Sequence, residues 1–244
     1  MVFITAEIGI NHNGSMESAK KLIDIALSAG CDAVKFQKRD VNKVYSKKVL
    51  DSPRDSPWGT TTREQKLGLE FSEKQYSKID QYCKKKKIPW FVSCWDVESQ
   101  KQMRKFKTKY NKIASAMLVH DKLLEAVAQE KKHTFIATGM STLNDIEKAV
   151  KNFRKHKCSF ELMHCHSAYP MPPEEANLKL IPFLAKKFHC KVGYSGHEAA
   201  ATNISIPAIF LGATSIERHV TIDRTAYGHD QAASLEPKGL IQLD

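Results

Sequence analysis

KVGYSGHEAAATNISIPAIFLGATSIERHV, residues 191–220, holds in miniature the plan of the whole chain. Two short β-like runs, 191–194 and 213–216, flank an apolar helix-like segment. Each run ends in a polar tail that carries a histidine, His197 and His219. A strand, a helix and a second strand form the repeating unit of a parallel α/β barrel, and residues just past the C-terminal ends of neighbouring strands share one face. The two imidazoles therefore meet in space although a helix separates them in sequence. Paired neutral imidazoles with open positions around them suit a divalent transition metal that also takes water or substrate. Asp230 lies in the glycine-containing tail that follows, Glu217 stands just before Arg218 and His219, and Ser195-Gly196 precedes His197 in a turn able to face an anion.

Working outward, the same alternation fills the chain. Strand-like runs occur at 2–8, 33–36, 88–94, 111–115, 134–138, 160–165, 191–194 and 214–218, with amphipathic stretches between them. The segment 199–212 reads as one of these helices. Strands alternating with helices from end to end require a parallel sheet, and their count is that of a (β/α)8 TIM barrel. No GxGxxG follows the first strand, which argues against a dinucleotide-binding sheet. Residues 40–70 are too long and polar for a simple connector and read as a lid or a disordered loop. After the eighth strand little chain remains, so the last outer helix is expected to be short or missing, with apolar surface exposed near the first and last strands and self-association through it.

The chain has 244 residues with 42% hydrophobic content, enough for one large core, and residues 1–244 read as a single domain. The formal charge is +11. Its densest basic runs, 84–87, 131–132, 154–157 and 186–187, fall at the ends of helix-like segments, where cations complement the helix dipole on the face away from the strand ends. The excess charge thus reads as solvated surface, and no nucleic-acid-binding motif accompanies it. The six cysteines show no CxxC pairing, and no apolar run approaches membrane-spanning length. The chain opens without a signal-like segment, and the expected location is cytoplasmic.

At the C-terminal ends of the strands, polar residues accumulate: Glu7 with Asn11 and His12, Lys35 with Gln37, Ser93 with Asp96, Lys112 with Ser115, Thr138, and the run from His164 to Tyr169. Lys35 and Lys112 sit in otherwise apolar strands, where a lysine either reaches the rim or meets an anion. In His164-Cys165-His166, alternation sends neighbours to opposite faces, so the trio reads as structural or substrate-lining rather than as a metal site.

Several long motifs in order, AEIGINHNGS (6–15), DAVKFQKRD (32–40), LEFSEKQY (69–76), ATGMST (137–142), MHCHSAYP (163–170), GYSGHE (193–198) and IERHVTIDRTAYGHDQAASLEP (216–237), resemble the N-acetylneuraminate (sialic acid) synthase family over essentially the whole chain. The resemblance implies a TIM barrel that condenses phosphoenolpyruvate with an open-chain N-acetylated amino sugar, such as N-acetylmannosamine, and releases phosphate. It implies Mn2+, or another divalent ion such as Mg2+ or Co2+, held by His197 and His219. Lys35, Lys112, Ser115 and Ser195 would contact phosphoenolpyruvate with Ser93 close by, Glu7 would serve at the reacting carbon, and Gln37, Tyr169, Asp230 and Ser167 would line the substrate.

The sequence departs from the family pattern at three positions. Cys94 replaces a phosphate-binding threonine of some members, Ser167 an asparagine, and Met117 a glutamate that reaches the sugar. The family also implies a homodimer in which a C-terminal antifreeze-like domain lends an arginine to the partner's site, and no counterpart of that domain occurs within these residues. The resulting expectation is binding of metal and phosphoenolpyruvate with poor turnover of the sugar. A different metal-dependent barrel aldolase or hydrolase, and a catalytically silent barrel, are the alternative readings.

Overall fold

The computed structural model describes residues 2–243 and contains all eight expected strands. The chain begins with β1 (Phe3–Gly9), α1 (Met16–Ser28) and β2 (Ala33–Lys38). An insertion follows: α2 (Val41–Val44), α3 (Lys47–Leu50), the hairpin of β3 (Pro53–Ser56) and β4 (Gly59–Thr61), and α4 (Thr62–Leu69). The alternation resumes with α5 (Glu73–Lys86), β5 (Trp90–Cys94), α6 (Val97–Met103), β6 (Tyr110–Ile113), α7 (Asp121–Ala128), β7 (His133–Ala137) and α8 (Leu143–Lys155). It ends with β8 (Phe160–Cys165), α9 (Leu180–Phe188), β9 (Val192–Gly196), α10 (Ser205–Phe210), β10 (Ser215–His219) and α11 (Pro237–Ile241).

Strands β1, β10, β9, β8, β7, β6, β5 and β2 pair in that cyclic order, all parallel, and close on themselves. Outward-facing residues such as Val34, Phe36, Ile136, Leu162 and Ile216 pack under the helices. The helices bury one stripe each. In α1 the stripe is Ala19, Leu22, Ile23 and Ala26, and Ser15 caps the helix by accepting from the Ser18 N–H. In α8 Thr142 and Asp145 form a reciprocal capping box above buried Ile146, Ala149, Val150 and Phe153.

The inward-facing residues form layers. At the N-terminal end of the strands Ala33, Phe91, Phe135 and Met163 cluster with Phe3 and Tyr110. Ring centroids lie 5.2 Å apart for Phe3 and Tyr110, 5.6 Å for Phe3 and Phe135, and 5.7 Å for Phe91 and Tyr110, so the rings plug the barrel. The next inward positions on the strands of Ala33, Phe91 and Tyr110 are Lys35, Ser93 and Lys112.

Three expectations change. Residues 40–70 are an ordered insertion: Asp40 and Ser46 cap its two short helices, and the Thr61–Glu64 capping box starts α4. The expected helix over 199–212 is reduced to α10. The carbonyls that would have begun it are taken by arginines: Arg218 donates to Ala200 and Ala201 at 3.1 Å each, and Arg224 donates to Ala199 at 2.6 Å. The seam beside β1 and β10 is covered, because α11 is present, short as expected, and packs near α1 with Leu240, Leu235 and Val220 fully buried. Exposed apolar side chains on the helices of this side include Leu27 of α1, Ile206 and Phe210 of α10 and Ile241 of α11. No helix among the described residues is long and apolar enough to cross a membrane.

Candidate active site

Parallel register lines up charged residues across neighbouring strands. Glu7 pairs in register with Lys35 on one side and His219 on the other, Glu217 with Ser195, Gln37 with Ser93, and Ser93 with Lys112. All face inward above the aromatic plug. They line one cavity of about 320 Å³ together with Ser115, Ser167, Tyr169, His197 and Asp230. Every site residue expected from the sequence therefore reaches this cavity.

Its floor is an ionic lattice. Lys35 Nζ lies 3.0 Å from Glu7 Oε2 and 3.2 Å from Glu217 Oε1, and Lys112 Nζ lies 3.0 Å from Glu217 Oε2. The anion expected beside each buried lysine is thus, in the first instance, a protein carboxylate. Burial alone would raise Glu217, but Lys112 and Lys35 on either side bring it down to about 2. Glu7 moves the other way. Burial lifts it above the ordinary carboxylate value, Lys35 offsets this only partly, and the charge on Glu217 adds to the rise. Burial opposes the charge on both lysines. It is outweighed at Lys35 by two carboxylates, and it prevails at Lys112, which has one. Two neighbouring carboxyls whose affinities for a proton are pushed apart are suited to different tasks, Glu217 as a fixed anion and Glu7 as a group that exchanges a proton.

Around the floor stand neutral polar groups. Gln37 donates to Glu7 Oε1 at 2.8 Å, and Ser195 donates to Glu217 Oε1 at 3.3 Å. Ser93 Oγ is buried with no hydrogen-bond partner among the described residues. The Gly139 N–H donates to Ser115 Oγ at 3.1 Å, and a Cβ at Gly139 would fall 2.5 Å from Ser167 Oγ and 2.9 Å from Ser115 Oγ. A side chain there would displace both hydroxyls. Gly9, at φ +53°, is the other constrained position: a Cβ there would lie 3.0 Å from Glu7 Oε1.

The rings of His197 and His219 lie 5.4 Å apart, and Tyr169 stacks on His197 at 3.9 Å. His197 Nδ1 is 2.6 Å from the His166 carbonyl oxygen and 4.0 Å from Cys165 Sγ, so its proton goes to the carbonyl and Nε2 is left for another partner. His219 Nδ1 is buried without a hydrogen-bond partner, 3.7 Å from Asp230 Oδ2. Burial holds His219 neutral by lowering it to about 3. Among the described residues no three His, Cys, Asp or Glu side chains converge as a ligand set. Two adjacent imidazoles, His219 with an orphaned Nδ1 and His197 with Nε2 uncommitted, nonetheless fit a metal that keeps open positions.

Other strand-end residues lie elsewhere. Asn11 donates to the Val220 carbonyl and to Ser234, and His12 stacks on Phe71 at 3.9 Å. Asp96 caps α6, and Thr138 donates to the Met163 carbonyl. Of His164-Cys165-His166 only Cys165 lines the cavity, while His164 bonds the Ala176 carbonyl. Cys94 points outward into the apolar cluster, and Met117 packs against the cluster under α7 to α9. Ser195 and Gly196 belong to β9 itself rather than to a turn. Sequence reading passed over Glu217 as a site residue, although its spacing of two from His219 already put it on the inner face. It also passed over the cavity mouth, where Arg39, Tyr45 and Lys66 come from the start and interior of the insertion.

Comparison with known proteins agrees with this architecture. The NeuB family matches residues 22–244. The chain is 39% identical to the N-acetylneuraminate-9-phosphate synthase of Drosophila melanogaster, over 99% of its own length and 66% of that protein's. It is 36% identical to the N,N'-diacetyllegionaminic acid synthase of Campylobacter jejuni, over 98% of this chain and 73% of that one. Among solved structures, N-acetylneuraminic acid (sialic acid) synthetase from Leptospira borgpetersenii, crystallised with citrate, superposes with a TM-score of 0.89 at 34% identity, covering 99% of this chain and 81% of that one. The chain thus spans about two thirds of the length of the fly relative.

Proposed function

The chain belongs to the NeuB family, and on that premise we propose that it joins phosphoenolpyruvate to an N-acetylated amino sugar, giving a nonulosonic (sialic) acid and phosphate. The observation that carries this reading is the floor, where two lysines and two carboxylates interlock beside a pair of adjacent histidines. An anionic enol needs cations and hydroxyls at one end and a polarised carbonyl at the other. Both lie in one cavity.

In this reading Lys35 and Lys112 attract the anionic groups of phosphoenolpyruvate, and Ser93, Ser115 and Ser195 supply hydroxyls, with Ser167 and the Gly139 approach completing the cradle. Gln37, Tyr169 and Asp230 orient the open-chain sugar. His197 and His219 hold Mn2+ or another divalent ion, whose chemistry is that of a Lewis acid toward the sugar aldehyde. Glu7 exchanges a proton at the reacting centre, a task suited to its raised affinity. The enol carbon bonds to the aldehyde carbon, water adds to the carbon left cationic, and phosphate departs with its bridging oxygen. The setting proposed is cytoplasmic, and the assembly proposed is a homodimer.

The test is phosphate release measured with phosphoenolpyruvate, amino sugar and Mn2+ together and with each withheld in turn. Release only when all three are present is the expected result. A barrel aldolase or hydrolase, or a silent barrel, would give no sugar-dependent phosphate, and that outcome would overturn the reading.

A further inference from the structure

The end of the barrel opposite the cavity carries charge that no acid of the fold answers. In a parallel barrel each helix returns the chain to the N-terminal end of the next strand, so the turns before β5, β6, β7, β8 and β9 lie side by side around one rim. Each of these turns holds a basic residue in the left-handed backbone region: Lys87 at φ +59°, Lys107 at +51°, Lys131 at +55°, Lys157 at +51° and His189 at +47°. Glycine is the unstrained choice there, because a Cβ crowds the backbone. It does occupy the turns before β2 and β10, as Gly30 at φ +71° and Gly212 at +98°. The four lysines are exposed and make no ion pair among the described residues. The acids at this end are already engaged: Asp24 with Lys86 at 2.7 Å, Asp80 with Lys84 at 2.6 Å, Glu130 with Arg104 at 2.8 Å, and Asp32 with the Ile4 N–H at 2.8 Å. A cation here complements the helix dipole, but that accounts neither for its place in a strained turn nor for its neighbours.

Those neighbours are apolar. Phe210 and Leu211, before β10, are 86% and 40% exposed, and Leu27, before β2, is 39% exposed. Strand β1 stands between β10 and β2, so these side chains flank one seam while the basic turns occupy the rest of the same rim. We propose that this face seats the protein on an anionic lipid surface, the lysines against the headgroups and Phe210 and Leu211 in the acyl boundary. Positive charge draws a protein to such a surface and exposed apolar side chains hold it there, a pairing that solvated charge does not call for. A nucleic acid is the poorer match. Its partners interleave aromatic rings with basic side chains along a groove, and the basic turns contain no Phe, Tyr or Trp. The attachment leaves the cavity mouth, on the opposite face, open to solution. It does not depend on the synthase reading.

The test is co-sedimentation of the full chain with vesicles of phosphatidylcholine alone and of phosphatidylcholine mixed with phosphatidylserine. Binding to the mixed vesicles only, weakening as salt rises, is the expected result. Lys87→Gly, Lys107→Gly, Lys131→Gly and Lys157→Gly combined should weaken it by about a hundredfold or more. Glycine relaxes those turns, so the thermal midpoint of this variant should hold, which separates lost binding from lost fold. Arginine at the same four positions should keep binding. Lys48→Gln, Lys74→Gln, Lys122→Gln and Lys148→Gln combined, an equal loss of charge away from this rim, should change it by less than about threefold. Phe210→Ser should weaken it by about tenfold without altering its salt dependence. No binding to the mixed vesicles, native binding by the glycine variant, or an equal loss in the glutamine variant overturns the proposal. So does a homopolymeric RNA that binds more tightly than the mixed vesicles while Phe210→Ser leaves vesicle binding untouched, which would make the face a nucleic-acid surface.

Discussion

The floor and the mouth of one cavity are both built from lysine, arginine and acid side chains, yet they are assembled on different principles. On the floor each charge comes from a barrel strand, is almost wholly buried and has an opposite charge within 3.2 Å. At the mouth the charges come from an insertion, and Lys66 has no opposite partner among the described residues. A buried ion lattice holds only if it is balanced, since removing one member strands the others in a poor solvent. A half-exposed mouth tolerates imbalance because water screens it. Balance therefore belongs to the fold, and surplus is available for a ligand.

The comparison is broken most severely at the histidines between the two zones. His197→Ala or His219→Ala should lower turnover by at least about a thousandfold, roughly 4 kcal/mol, while circular dichroism shows the barrel intact. Wild-type activity of either variant in chelated buffer would remove the metal from the scheme.

Glu217→Gln comes next, because it withdraws the acid shared by Lys35 and Lys112. Urea unfolding should show a loss of about 3 to 5 kcal/mol. A loss below about 1 kcal/mol would mean that the floor is not held by its charge balance. Lys35→Met deletes one cation of the lattice and should weaken phosphoenolpyruvate binding by about a hundredfold, near 2.7 kcal/mol, in calorimetry. Unchanged affinity would make Lys35 purely structural.

His12 sharpens the contrast from outside the cavity, as a buried base with no acid beside it. Burial, and then Arg39 at the mouth, lower it to about 3 in the folded chain. The unfolded chain binds the proton first, so this contribution to stability is complete above the ordinary histidine value near 6.5 and is lost as pH falls toward 3. Relative to a His12→Phe variant, the native protein should lose roughly 2 to 3 kcal/mol between pH 7 and 4.5. Parallel pH profiles for the two would contradict the assignment. The smallest effect is expected at Lys66→Met, whose stability should change by less than about 0.5 kcal/mol. A large loss there would show that the mouth, too, is a balanced lattice.

What the sequence disclosed follows the same division. The eight strands were legible because short apolar runs alternate with amphipathic stretches, and Glu7, Lys35, Ser93, Lys112, Ser195 and His219 could be placed because polar residues stand out at or near the C-terminal ends of such runs. Lys35 and Lys112 announced an anion, but periodicity does not name which acid a lysine reaches across the barrel, and Glu217 went unassigned although it stands two residues from His219. The insertion was illegible for a different reason. Helices of four residues capped by Asp40 and Ser46, and a four-by-three hairpin, carry no period long enough to read, so the positions of Arg39, Tyr45 and Lys66 depend on packing alone. The expected helix at 199–212 failed through a distant competitor, since Arg218 and Arg224 claim its first carbonyls.

The ring cluster of Phe3, Phe91, Tyr110 and Phe135 does more than fill space beneath the lysines. It makes the chamber a cul-de-sac. Whatever reacts on the floor must arrive and depart through the same doorway, and a reactant seated at that doorway bars the way to any other. For the proposed reaction the expected queue is phosphoenolpyruvate first and the sugar second, with free sugar in excess slowing turnover by standing in an empty passage.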